Sequence, residues 1–97
     1  MTNEKDDNVV FIGVKPFMIY VTSVAMQFTT KDMNEVIVKA RGKSINRAVD
    51  VVEAVRKRFL KDKNLDIKEI KIDSEELENK EGKKINVSTI EITLAKK

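Results

Sequence analysis

Val36-Ile37-Val38-Lys39-Ala40-Arg41-Gly42-Lys43-Ser44-Ile45-Asn46-Arg47-Ala48-Val49 is the stretch on which the fold reading turns. Its first three residues form a short unbroken apolar run, the mark of a buried strand. Arg41-Gly42-Lys43-Ser44 interrupts that run. Ile45, Ala48, Val49, Val52 and Phe59 then recur at helical spacing, with Val55 at the edge of the stripe. Lys43, Asn46, Arg47, Asp50, Glu53 and Lys57 fall on the opposite side. Arg56 lies within the apolar stripe by angle, and its head is expected to snorkel near the helix end. A strand therefore feeds a helix through a short basic turn.

Working upstream, Val9-Val10-Phe11-Ile12 reads as another strand, buried on both faces and ended by Gly13. Pro16 suits a first helical turn, where its missing N–H costs nothing. Phe17, Val21, Val24 and Phe28 follow at i, i+4, i+7 and i+11 and predict a helix with one buried face. Ile19 and Met26 fall on its other side, and two readings fit them, a contact with a second copy or scattered apolar residues on an ordinary surface. Downstream of Lys61-Asp62-Lys63-Asn64 the period drops to two. Leu65, Ile67, Ile70 and Ile72 form one strand, and Ile85, Val87, Ile90, Ile92 and Leu94 another. The polar stretch from Asp73 to Lys84 lies between them, with a turn expected at Lys80-Glu81-Gly82-Lys83. Both strands change parity midway, which predicts a bulge in each and a bent hairpin whose outer part leaves the body. The predicted order is β-α-β-α-β-β, an α+β domain with a mixed sheet and two helices packed on it.

Composition narrows the chemistry. The 97 residues suffice for one domain, expected over 8–97 behind a polar, disordered tail at 1–7. Cysteine and histidine are both absent. Disulfides, thiol nucleophiles, thiolate metal sites and the usual general base near neutral pH are thereby excluded. The sequence shows no signal peptide and no apolar run of the roughly 18 residues a membrane helix needs, so a cytoplasmic location is expected. Charge is uneven: residues 31–64 hold ten Lys/Arg against five Asp/Glu, whereas the segments on either side are each net −1. A surplus confined to the middle third favours a polyanionic partner.

The surplus centres on Lys39, Arg41, Lys43 and Arg47. Gly42 lets the backbone approach a ligand, the first helical amides are free donors, and the helix dipole favours an anion. Arg41 and Arg47 can fork onto phosphate oxygens, Lys43 can act as a point charge, and Asn46 can bridge to a phosphate or base edge. Spacing alone leaves two readings open, an anion site or an ordinary solvated helix start. Gly42-Lys43-Ser44 is not a phosphate-binding P-loop, because the position that would need the first glycine holds Ile37.

Asn8-Val9-Val10-Phe11-Ile12-Gly13, Lys15-Pro16, Lys39-Ala40-Arg41-Gly42-Lys43, Ala48-Val49-Asp50, Arg56-Lys57-Arg58-Phe59 and Val87-Ser88-Thr89-Ile90-Glu91-Ile92 closely resemble the archaeal Alba family, in order and with matching spacings over residues 8 to 97. The resemblance implies a two-layer β-α-β-α-β-β sandwich similar to the C-terminal domain of translation initiation factor three, with an extended C-terminal hairpin. It also implies a homodimer that binds double-stranded DNA with low sequence specificity in archaeal chromatin, and in many members RNA. Nucleic-acid contacts carry over to Lys15, Arg41, Lys43 and Arg47, with Asn46 and Tyr20 beside them. Lys39, Gly42 and the hairpin-tip residues Lys83 and Lys84 complete the candidate surface, and the hairpins are expected to reach along the minor groove. Phe59 matches the aromatic through which dimers meet along DNA, although it also reads as the last core residue of its helix.

Two departures stand out. The family pattern has two lysines before the proline and this chain has Val14 and Lys15, so Lys15 alone is left to carry any acetylation. The hairpin holds Asp73, Glu75, Glu76, Glu78 and Glu81 against Lys80, Lys83 and Lys84. Only its tip and return strand then look attractive to phosphate, and the acidic run has no EF-hand spacing. No cofactor or metal is expected, and no catalysis. The alternatives are an RNA-directed role as ribonucleoprotein subunit or RNA chaperone, a more selective DNA-binding regulator, and a protein-interaction module whose acidic hairpin recruits a basic partner. Five aromatics, most at core positions, argue against specialisation for single strands.

Overall fold

The computed structural model describes residues 8–97, so the expected tail at 1–7 lies outside the described residues. Its elements are β1 (Val9–Phe11), α1 (Phe17–Thr29), β2 (Glu35–Arg41), α2 (Ile45–Ala54), β3 (Leu65–Glu78) and β4 (Lys84–Lys96). This is the expected α+β order, with one four-stranded mixed sheet arranged β1-β2-β4-β3. β1 and β2 are parallel, and the two other pairs are antiparallel. No described helix is long and apolar enough to cross a membrane.

Both helices cover one face of the sheet. Alternation along β2 buries Val36, Val38 and Ala40, and along β4 it buries Ile90, Ile92 and Leu94. Tyr20, Val21, Val24 and Phe28 meet them from α1, and Ala48, Val51, Val52 and Val55 from α2. Among the described residues no charged side chain is buried. Because the helices occupy one side only, the other face of the sheet is open. That corrects the reading of β1: Val10 and Ile12 are buried, but Phe11 between them is 70% exposed.

The α2 stripe also lies elsewhere than its apolar spacing suggested. Val51 replaces Val49 in the core, since the sheet covers only the arc from Ala48 to Val55, and Val49 flanks it in solvent. After Ala54 the helix widens into a π-type turn, Val55–Phe59, closed by Leu60 N–H donating to Val55 C=O at 2.8 Å. Leu60 fills the last core place, and Phe59 stays half exposed. Arg56 behaves as expected, its Nε donating to Leu65 C=O and its guanidinium to Glu53. Ile19 and Met26 are exposed on the outer side of α1.

The hairpin is longer than its apolar pattern. β3 and β4 pair from Leu65↔Lys96 out to Glu78↔Lys84, through the whole polar stretch, and the turn is Asn79 to Lys83. A bulge between Ile67 and Glu69 accounts for the parity change in β3. β4 has none. Its Ile85 and Val87 lie on the open face, paired with Leu77 and Glu75. The last pair shared with the body is Arg41↔Thr89, so the five pairs from Ser74↔Ser88 outward overhang it. At ~3.3 Å per residue that overhang is roughly 15 Å.

Candidate nucleic-acid interface

Parallel pairing of β1 and β2 brings both strand-to-helix loops to one end of the sheet. The first loop carries Lys15, and the second carries Gly42, Lys43 and, on the opening turn of α2, Asn46 and Arg47. Because β4 runs antiparallel to β2, the overhanging hairpin projects beyond this same end. Topology alone thus assembles two loops, a helix start and an arm.

Hydrogen bonds fix the first loop. Tyr20, buried at the start of α1, accepts the Lys15 N–H on its Oη at 2.9 Å. A Cβ at Gly13 would come within 3.2 Å of that oxygen, so the glycine leaves room for the bond. Arg47 Nη1 donates to the Lys15 carbonyl at 2.7 Å and ties the loop to α2. The Tyr20 ring lies in the core, and its hydroxyl holds the loop that carries Lys15. The second loop turns at Gly42, whose φ of +60° is left-handed backbone that L side chains rarely adopt.

The basic segment divides at this glycine. Before it, strand alternation sends Lys39 and Arg41 to the open sheet face. There Lys39 Nζ lies 3.9 Å from Glu91 and Arg41 Nη1 lies 3.5 Å from Glu75. After it, Lys43 and Arg47 lie at the loop end of the sheet, where Arg47 bonds the Lys15 carbonyl. Among the described residues no carboxylate forms an ion pair with Lys15, Lys43 or Arg47. The expected site is thus two adjoining surfaces, one with its cations paired and one without.

Lys83 and Lys84 sit far out on the hairpin tip, with Lys84 Nζ 3.6 Å from Glu76. Phe59 lies at the far end of α2, away from both loops. One feature escaped the sequence reading, the exposed Phe11 on the open face with Lys39 Nζ 5.7 Å from its ring centroid. A three-residue strand at the sheet edge cannot be covered on both faces by helices on one side, which was the available signal.

Comparison with known proteins agrees with this architecture. The Alba family model matches residues 8–74. The DNA/RNA-binding protein Alba of Methanococcus maripaludis is 52% identical over 90 residues, covering 93% of this chain and 99% of that protein. The protein of the same name from Nanoarchaeum equitans is 57% identical over 89 residues, 91% of this chain and 97% of its own. Among solved structures, Alba from Thermoplasma volcanium superposes with a TM-score of 0.83 at 46% identity, covering 92% of this chain and all of that one. ALBA1 from Trypanosoma brucei gives 0.66 at 29% identity, over 93% of this chain and 69% of that one. On sequence and fold together, the chain belongs to the Alba family.

Proposed function

We propose that this protein binds nucleic acid without catalysis, chiefly double-stranded DNA with low sequence specificity, as an archaeal chromatin component associated with the chromosome in the cytoplasm. Alba family proteins are non-catalytic nucleic-acid-binding proteins. The observation that carries the reading is the gathering of Lys15, Lys43, Asn46 and Arg47 at the end of the sheet from which the hairpin projects, where no carboxylate among the described residues pairs with the three cations. Phosphates dock on these cations and on the backbone at Gly42, while Lys39 and Arg41 add contacts by exchanging carboxylate for phosphate. The hairpin contributes through Lys83 and Lys84 at its tip. Lys15, exposed at the centre, is the place where acetylation removes a cation.

The working unit is a homodimer. Ile70 and Ile72 pair with Ile92 and Ile90 on the helix-covered face, yet they are 55% and 79% exposed because α1 and α2 do not reach β3. These two give an apolar strip that a second copy covers. Phe59, also exposed, suits contact between dimers along DNA.

Titrating duplex DNA against salt tests the proposal. Lys15, Arg41, Lys43 and Arg47, four cations per protomer, give a log–log slope of about −4 to −7 for a dimer, allowing for imperfect contacts. An affinity independent of salt excludes the mechanism. RNA is the second reading, supported by the DNA/RNA-binding names of the relatives, and duplex RNA in the same series decides between the two.

A further inference from the structure

The open face of the sheet holds a cleft of about 450 Å³ beside Arg41, within the range of small-ligand sites. Phe11, Lys39, Arg41, Glu75, Thr89 and Glu91 line it. We propose that this cleft receives one unpaired guanine base of a single-stranded nucleic acid, stacked on Phe11; the inference rests on the nucleic-acid reading above. Three observations converge on it. A phenylalanine left 70% exposed offers its π-face to a flat ring, and stacking on such a residue is how single strands are held independently of phosphate charge. Lys39 lies beside that ring and Arg41 across the cleft, so the phosphates flanking a stacked base meet a cation on each side. Each of these cations is held by a carboxylate, Glu91 and Glu75 respectively.

That pairing selects the base. When a phosphate takes Arg41 or Lys39, the released carboxylate is left as a pure acceptor facing the cleft. Guanine presents two adjacent donors, N1–H and the N2 amino group, which one carboxylate can accept together. Uracil and thymine flank a single N–H with two carbonyl oxygens, which the carboxylate repels.

The experiment compares three single strands, in RNA and DNA versions: an oligouridine or oligothymidine bearing one central guanosine, the same strand without it, and the same strand abasic at that position. Duplex DNA is measured alongside. The single guanosine is expected to tighten binding roughly ten-fold over the other two strands, and Phe11→Ala is expected to abolish that gain, as the loss of one base–aromatic stack does. Its duplex affinity stays unchanged. Phe11→Trp keeps the gain, and because the chain has no tryptophan the introduced indole reports alone. Its fluorescence is quenched by the guanosine strand and not by the abasic strand or the duplex. RNA and DNA behave alike, because the sugar takes no part. Equal affinity for all three strands, or a Phe11→Ala loss shared equally by duplex and single strands, overturns the proposal. If the unaltered protein binds neither duplex nor single strand, the broader nucleic-acid reading fails; if it binds duplex and ignores Phe11, only this cleft does.

Discussion

Lys39 and Arg41 lie on a strand, whereas Lys43 and Arg47 lie on the turn and helix that directly follow it. Along the chain the four form one basic run. In space the strand pair meets Glu91 and Glu75 across the sheet, and the helix pair meets no carboxylate among the described residues. Period is the cause. Alternation in β2 fixes residues 39 and 41 on the open face, opposite the acidic side chains that β3 and β4 place there, and Gly42 ends the alternation. The availability of a cation is thus set by its backbone conformation and cross-strand neighbours more than by the charges beside it in sequence. Surface ion pairs are individually weak, roughly 0–1 kcal/mol, so Lys39 and Arg41 are attenuated rather than silenced.

The sharpest way to break this contrast is to remove each half in turn. Replacing Lys43 and Arg47 with alanine is expected to weaken duplex binding by about ten- to a hundred-fold and to flatten the salt slope by roughly two per protomer. Replacing Lys39 and Arg41 should cost several-fold less, because each of these cations gives up a carboxylate partner to bind phosphate and so gains less from it. Equal losses in filter binding would mean that the ion pairs do not persist in solution.

Next in size is the boundary itself. Gly42→Ala keeps every charge but places a Cβ on left-handed backbone, which costs about 1 kcal/mol. The added carbon meets only Val87 Cγ1 at 3.6 Å, an ordinary contact, so strain accounts for the effect. A drop in Tm of about 4–8 °C is expected by calorimetry for a domain of this size. A glycine-like Tm would show that the turn relaxes out of its left-handed geometry. Glu75→Gln has a smaller effect of opposite sign. It frees Arg41 and removes one of the five carboxylates between Asp73 and Glu81, so duplex affinity should rise by roughly two- to five-fold, with a steeper salt slope. An unchanged affinity would place Arg41 outside the bound surface.

Much of this arrangement was legible beforehand, for identifiable reasons. The helical spacing from Ile45 and the period of two from Leu65 announce their elements, and with two β–α units at the start they fix the order. The bulge at Ile67/Glu69 shows as a parity change because one face of β3 must still meet the core at Leu65. In β4 the parity change has another cause: Ile85 and Val87 are apolar for the open face, and no bulge is needed. Phe11 and Val49 read as core by sequence because apolar character marks what can be buried, and only the layer arrangement decides what is. The split of the basic run was invisible for a related reason: Glu75 and Glu91 approach it from strands more than thirty residues away in the chain.

The smallest expected effect is a control from the opposite end of the sheet. There Lys96 Nζ donates to Asp32 Oδ1 at 2.7 Å, and that hydrogen bond, with the lysine charge, holds the Asp32 carboxyl below the usual carboxylate range. A folded value below the unfolded one means a stabilising contribution that is full above the ordinary carboxylate pKa and is lost as pH falls through the lowered one. Asp32 has a φ of 52°, which asparagine also tolerates, so Asp32→Asn removes the charge without new backbone strain. The variant should melt slightly below the parent at neutral pH, and the gap should close as pH drops below about 4. Its duplex affinity should match the parent, since this carboxylate faces neither half of the basic run. A gain in affinity as large as that of Glu75→Gln would mean that total charge, not the pairing of particular cations, governs binding, and the contrast between the two halves would collapse.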